Sequence, residues 1–283
     1  MGIFSNRNIN ENPLGEMSFI QHLEALRWHL IRSIIVIGIF TGVYLFFSEL
    51  LFDKVIFAPR DQSFPTYGIM CRMGQVFNLE KEVCITVTQK KLQTLGASEQ
   101  FTTYIWICFL AGLITGFPYL LYEIWKFVKP ALKDTESRPV RGFVFIGSFL
   151  FATGVVFGFY VLFPLSYNFL ISFNIGSGKF VETNNTLDDY VSLISTMCLL
   201  TGLVFEMPII VHFLTRLGIF TPQFMRKYRK HAVVVILIIA AFITPSPDIM
   251  SQLIVFAPLY VLYEISIIVS ARTLKNMNAR QLK

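Results

Sequence analysis

The sequence predicts an all-α membrane protein with six transmembrane helices, and three observations carry that reading. Of its 283 residues, 54% are hydrophobic and only 15% charged, against about 25% charged in ordinary soluble domains. Six apolar runs of spanning or near-spanning length recur along the chain, which places it among polytopic helical membrane proteins. The cations gather in alternate connectors, as membrane topology requires. The formal net charge of +6 therefore calls for a lipid bilayer and its boundaries rather than nucleic acid.

The elements follow in order. Residues 1–16 are polar, and the first apolar run is too long and lacks a small-residue cleavage site, so no cleavable signal peptide is expected. Residues 1–29 form the first unit. In "MSFIQHLEALRWHLIRS", Ser18 followed by Gln21 fits a capping box. Phe19, Ile20, Leu23, Leu26 and Leu30 then recur at helical spacing opposite Gln21, Glu24 and Arg32. This predicts an amphipathic helix lying along the cytoplasmic surface before the chain turns into span one.

The transmembrane domain occupies 30–270, with spans at about 30–52, 101–125, 142–163, 190–214, 230–244 and 249–270. The segment 53–100 is a long periplasmic loop, and 271–283 a cytoplasmic tail. Span five is short. Its apolar part, 232–243, rises only about 18 Å at about 1.5 Å per residue, against a hydrocarbon core of about 30 Å. Either the helix starts earlier, among Arg226 to His231 with snorkelling side chains, or the bilayer thins. No internal repeat of the inverted-transporter kind is visible.

Orientation follows from the cations. One connector holds Lys126, Lys129, Lys133, Arg138 and Arg141, and a second holds Arg216, Arg226, Lys227, Arg229 and Lys230. The tail adds Arg272, Lys275, Arg280 and Lys283, whereas 164–189 carries only Lys179; the long segment 53–100 holds six cations, but long translocated loops obey the rule weakly. Both termini are therefore expected in the cytoplasm.

Among the carboxylates within or at the edges of spans, Glu123, Glu206 and Glu264 are singled out. Ionised groups are costly in hydrocarbon, so each should face the bundle interior or water. Glu123 and Glu264 fall near the cytoplasmic boundary, where a solvated helix end packed under a Tyr is the bland reading. Glu206 in "LVFEMPII" is deeper, and Pro208 should kink its helix by removing a backbone donor and crowding the Val204 carbonyl. Two roles remain for Glu206. One is a protonated side chain bonded to a neighbouring helix; the other is a contact site for a polar partner within the membrane.

Enzymatic chemistry finds little footing. His22, His29, His212 and His231 are scattered without metal-ligand spacing, Ser192 and Ser195 lie in no GxSxG elbow, and no phosphate loop occurs. No cofactor or metal is expected. Cys108 and Cys198 read as apolar filler. Cys71 and Cys84 lie in the long outer segment, where "GIMCRMGQVFNLEKEVCITV" alternates like a short hairpin. A Cys71–Cys84 disulfide would staple it with a gain of about 3 kcal/mol.

Several stretches together resemble the TatC family of twin-arginine protein translocases over nearly the whole chain. They are "SFIQHLEALR", "FPYLLYEIWKFVKPALKDTESR", "FPLSYNFL", "FEMPIIV", "ITPSPDIMSQ" and "PLYVLYEISI", in that order. The resemblance implies a concave six-helix bundle with short fifth and sixth spans, sited in the cytoplasmic (inner) membrane. It implies a non-enzymatic subunit of an oligomeric complex with TatA-like and TatB-like single-span partners. Such a subunit binds signal peptides carrying paired arginines and supports export of folded proteins driven by the proton-motive force.

By position in the family motifs, Glu136 is the docking carboxylate for the paired arginines, able to accept bidentate bonds from a guanidinium. Phe127, Arg138, Leu26 and Arg27 shape the same groove, and Glu206 meets a partner helix or the inserted signal sequence. The family's second acid before its Leu-Arg pair is here Ala25. Glu24 is adjacent but rotated by about 100° around the helix. Either Glu24 substitutes with a changed approach angle, or Glu136 acts more nearly alone. The rival classes are a proton-coupled small-molecule carrier using Glu206 and Glu264 as relay groups, and a purely structural membrane scaffold.

Overall fold

In a computed structural model of the chain, residues 19–76, 91–128, 140–173, 185–244 and 249–281 are described. Their long helices are α1 (Phe19–Phe46), α2 (Pro65–Val76), α3 (Glu99–Val128), α4 (Val140–Phe157) and α5 (Phe163–Ser172). They continue with α6 (Leu187–Phe205), α7 (Met207–Arg216), α8 (Pro222–Lys227), α9 (Arg229–Ile243) and α10 (Ile249–Gln281). Among the described residues the only β-pairing is an isolated parallel bridge between Gln93 and Thr186. Among the described residues five stretches are long and apolar enough to cross a membrane: Glu24–Phe46, Glu99–Val128, Gly142–Ser172, Leu187–Arg216 and Ser251–Ala279. The fold is the helical membrane bundle expected.

Several boundaries differ from expectation for physical reasons. No turn separates the N-terminal helix from span one, because α1 runs unbroken from Phe19 to Phe46 with neither Gly nor Pro before Gly38 to interrupt it. The capping Ser18 lies outside the described residues. Likewise α10 continues past Ser270 to Gln281, so most of the expected tail is helical. Span five is α9, with 15 residues, or about 22 Å at about 1.5 Å per residue. It borrows its first three residues, Arg229, Lys230 and His231, from the preceding basic stretch, as one of the two readings expected, and starts no earlier because the chain breaks at Tyr228 between α8 and α9.

The expected hairpin beginning at Gly68 is not a strand as far as Val76. Pro65 starts α2 there, its missing N–H costing nothing in a first turn. Phe64 and Tyr67, three apart, are buried together on one face. The second half of the expected hairpin lies outside the described residues.

Packing is close where small residues meet. A methyl group on Gly154 of α4 would lie 2.6 Å from the Thr201 carbonyl oxygen of α6, so the two backbones approach in a way that only glycine permits. Thr201 Oγ1 uses that approach to donate to the Gly154 carbonyl at 2.9 Å. The core around this seam is formed by Ile107, Leu162, Phe163, Ile194, Met197 and Leu259.

One end of the bundle is covered by the segment 52–76, the cap. Pro164 cannot donate to the carbonyl of Tyr160, four residues earlier, and a π-helical stretch Gly158–Leu162 precedes α5. The freed Tyr160 carbonyl accepts from the Thr66 hydroxyl of α2. Tyr67 Oη donates to the Pro59 carbonyl at 2.6 Å and accepts from Asn168 Nδ2 at 3.1 Å. Tyr190 Oη donates to the Ile56 carbonyl at 2.6 Å. These buried side chains tie the cap to α5 and α6.

Candidate functional site

The opposite end, here the mouth, is where α1 begins and α3 ends. Helix α1 packs along α3. At the mouth His29 Nδ1 donates to Glu123 Oε2, and the His29 ring stands edge-on to Phe127 with centroids 6.2 Å apart. Glu123 is 3% exposed, so the solvated-helix-end reading of this residue is wrong: its charge is held by an imidazole donor from another helix. Next to this clamp Glu24, Leu26 and Arg27 are exposed and Phe127 is half-buried.

The segment that carries the rest of the expected site is 129–139, between Val128 and Val140, and Glu136 and Arg138 lie outside the described residues. Its two flanking helices are locked together by the Trp125 and Phe143 rings, stacked 3.9 Å apart. Val128 and Val140, which flank the segment 129–139, therefore both lie at the mouth.

The second candidate region is a notch deep in the bundle. The helix of span four breaks at Glu206, where φ is −72° and ψ −5°, two residues before Pro208, so the expected kink occurs as a break between α6 and α7. Glu206 is 5% exposed, and neither carboxyl oxygen has a hydrogen-bond partner among the described residues. The carboxyl lies against Gly147 of α4, where an added Cβ would come within 3.3 Å of Oε2. The Ser148 hydroxyl is also buried without a partner. Of the two roles read from the sequence, the bond to a neighbouring helix of the same chain is absent. A carboxyl that is buried and unpaired is expensive.

Glu264 is not an open contact either. It accepts from Arg229 Nη2 at 2.8 Å and from Tyr260 Oη at 3.3 Å, which closes the α9–α10 pair at its mouth-side end. Among the described residues no hydrogen-bond chain joins it to Glu206. Cys71 is disulfide-bonded while Cys108 and Cys198 are free thiols; Cys84 lies outside the described residues. No cluster of metal-binding side chains occurs among the described residues.

Sequence reading missed His29, filed with the scattered histidines. Its partner is 94 residues away, a separation that helical periodicity does not reveal. The available signal was Glu123 itself, a carboxylate at a span edge that needed a donor.

Fold and site together define a multi-pass helical membrane protein with polar groups concentrated at one mouth and in one intramembrane notch. Residues 21–258 match the family model of the Sec-independent protein translocase protein, TatC, and the chain belongs to that family, the twin-arginine translocase subunits. It is 38% identical over 261 residues to TatC of Blattabacterium sp. subsp. Periplaneta americana, covering 92% of this chain and 97% of that protein. With TatC of Listeria innocua it shares 37% over 264 residues, covering 93% and 94% of the two chains. A crystal structure of the twin-arginine translocase receptor TatC in DDM aligns with TM-score 0.66 and 29% identity over 88% of this chain and 99% of its own.

Proposed function

We propose that this subunit is the signal-peptide receptor and scaffold of its translocase, sited in the cytoplasmic membrane with both termini in the cytoplasm. Glu136 grips the paired arginines of incoming cargo, with Glu24 as a second and weaker carboxylate. Phe127, Leu26, Arg27 and Arg138 form the surrounding groove. The observation that supports this reading most is the mouth itself. The His29–Glu123 bond and the Trp125–Phe143 stack hold α1, α3 and α4 together at the two ends of the Glu136 loop. A guanidinium pair needs an acid held in place, because local lysines and arginines would otherwise repel it. Once cargo is engaged, single-span TatA-like and TatB-like partners assemble on the subunit. The proton-motive force then drives export of the folded protein.

Glu206 is assigned to a transmembrane helix of a partner or of the inserted signal sequence. Its unpaired carboxyl supplies the reason: a donor carried by that helix would gain a bond and relieve a desolvated group. The Cys71–Cys84 disulfide is retained as part of the proposal, with non-reducing mass spectrometry as its check.

The direct test is export of a folded twin-arginine reporter in cells lacking their own subunit, restored by this chain and lost with Glu136→Ala. In the same cells the Glu136→Ala protein should reach the membrane but fail to photocrosslink to the signal peptide. Undiminished crosslinking moves the site elsewhere.

A further inference from the structure

The seam between α1 and α3 keeps one register up to the mouth. Thr41 faces Gly112, where an added Cβ would lie 2.8 Å from the Thr41 backbone nitrogen, and Ile37 faces Gly116, where it would lie 3.2 Å from the Ile37 side chain. Two turns further on, His29 meets Glu123. One more turn in the same register sets Ala25 opposite Phe127. Ala25 has only a methyl group to offer there. The ring that α1 brings to Phe127 is His29, with centroids 6.2 Å apart and planes at 66°.

The imidazole therefore serves two neighbours on α3. Its Nδ1 donates to Glu123 Oε2, and the Tyr119 hydroxyl bonds to the same carboxylate. With both donors in place and only 3% of Glu123 exposed, this acid has no open face for a ligand. Its bond to His29 instead fixes the plane of the imidazole, because rotation of the ring would break a charge-assisted contact in a buried place. Phe127 thus rests against a fixed wall. It is itself half-buried, so part of its ring is accessible at the mouth. Leu26, three residues before His29 on α1, is 41% exposed and adds a second apolar side chain to the same place.

We propose that His29 is a positioning residue for cargo recognition: held by Glu123, its ring sets Phe127 to pack on an apolar side chain of the signal peptide. This rests on the receptor reading and adds a contact that does not distinguish arginine from lysine. Glu136 chooses between those two cations; the His29–Phe127 pair strengthens binding of either peptide through apolar area removed from water.

The test measures the affinity of the full-length protein, purified in detergent, for a signal peptide with paired arginines and for the same peptide with paired lysines. His29→Asn keeps a donor near the Nδ1 position and removes the ring. It should weaken both peptides by about three- to tenfold, the range of one aromatic contact, and leave the ratio between them unchanged. In a Phe127→Ala background the same substitution should change neither affinity, since both residues act through one ring contact. With the buried charge removed by Glu123→Met, His29→Phe should recover most of the binding and His29→Leu should not. A His29→Asn protein that binds like the wild type overturns the proposal. So does a loss of equal size in the Phe127→Ala background, a loss confined to the arginine peptide, or equal binding by the Phe and Leu variants. In each of these cases the receptor reading stands, whereas a wild-type protein that binds neither peptide removes both.

Discussion

At the cap end, the hydroxyls of Thr66, Tyr67 and Tyr190 donate to backbone carbonyls, and the Asn168 amide donates both to Tyr67 and to the Pro164 carbonyl. At the mouth end, α1 is joined to α3 by a single side-chain hydrogen bond among those described, His29 to Glu123, and the acid and cation that flank it are exposed. The first arrangement distributes restraint over many neutral bonds to backbone. The second concentrates it in one charged bond and leaves neighbouring charges free to meet a ligand. The cap is thus a fixed platform, and the mouth is a recognition surface with one clamp.

The largest expected effect comes from the clamp. His29→Ala leaves a buried carboxylate without its imidazole donor, with the Tyr119 hydroxyl remaining, and should cost about 3 kcal/mol, read as a lowered midpoint of thermal unfolding in detergent. The double substitution His29→Leu with Glu123→Met should recover most of that loss, because no buried charge then remains. If His29→Ala unfolds like the wild type, the mouth is not held as described.

Next in size are the cap tyrosines. Tyr67→Phe and Tyr190→Phe each leave a buried carbonyl unsatisfied, at about 1–3 kcal/mol apiece. Both should lower the unfolding midpoint while leaving signal-peptide crosslinking unchanged. Lost crosslinking would erase the distinction between platform and recognition surface.

Glu206→Gln tests the notch between the two ends. It replaces an unpaired buried acid with a neutral group of the same shape, so thermal stability should hold or rise. Crosslinking to a partner's transmembrane helix should fall several-fold, as expected for about 1 kcal/mol of lost hydrogen bonding. A loss of stability with partner contact intact would make Glu206 a structural residue. Smallest is Arg229→Gln. The pair with Glu264 is part-exposed, with side chains 47% and 32% accessible, and such pairs contribute under about 1 kcal/mol. A larger shift in the unfolding midpoint would show that the α9–α10 end is part of the restraint.

The features legible in the sequence were those that repeat locally. Apolar runs located the helices, and Pro208 placed the break at Glu206. The clusters of Lys and Arg set the expected orientation. Contacts between distant parts of the chain were not legible. His29 meets Glu123, Thr66 meets Tyr160, and Tyr190 meets Ile56 across separations of 94, 94 and 134 residues. Alternation misled at Gly68 to Val76, where a proline start and tertiary burial of Tyr67 decided for helix. The continuation of α10 was hidden for a related reason. Polar residues from Arg272 onward end the apolar run but do not end a helix.

The central claim is that one carboxylate at the mouth reads the guanidinium pair of the cargo. Its most direct test is the affinity of the purified protein for a signal peptide with paired arginines against the same peptide with paired lysines, in wild type and in Glu136→Gln. The wild type should prefer the arginine peptide about tenfold or more, and Glu136→Gln should bind the two peptides nearly equally. An arginine preference of wild-type size in Glu136→Gln would contradict it.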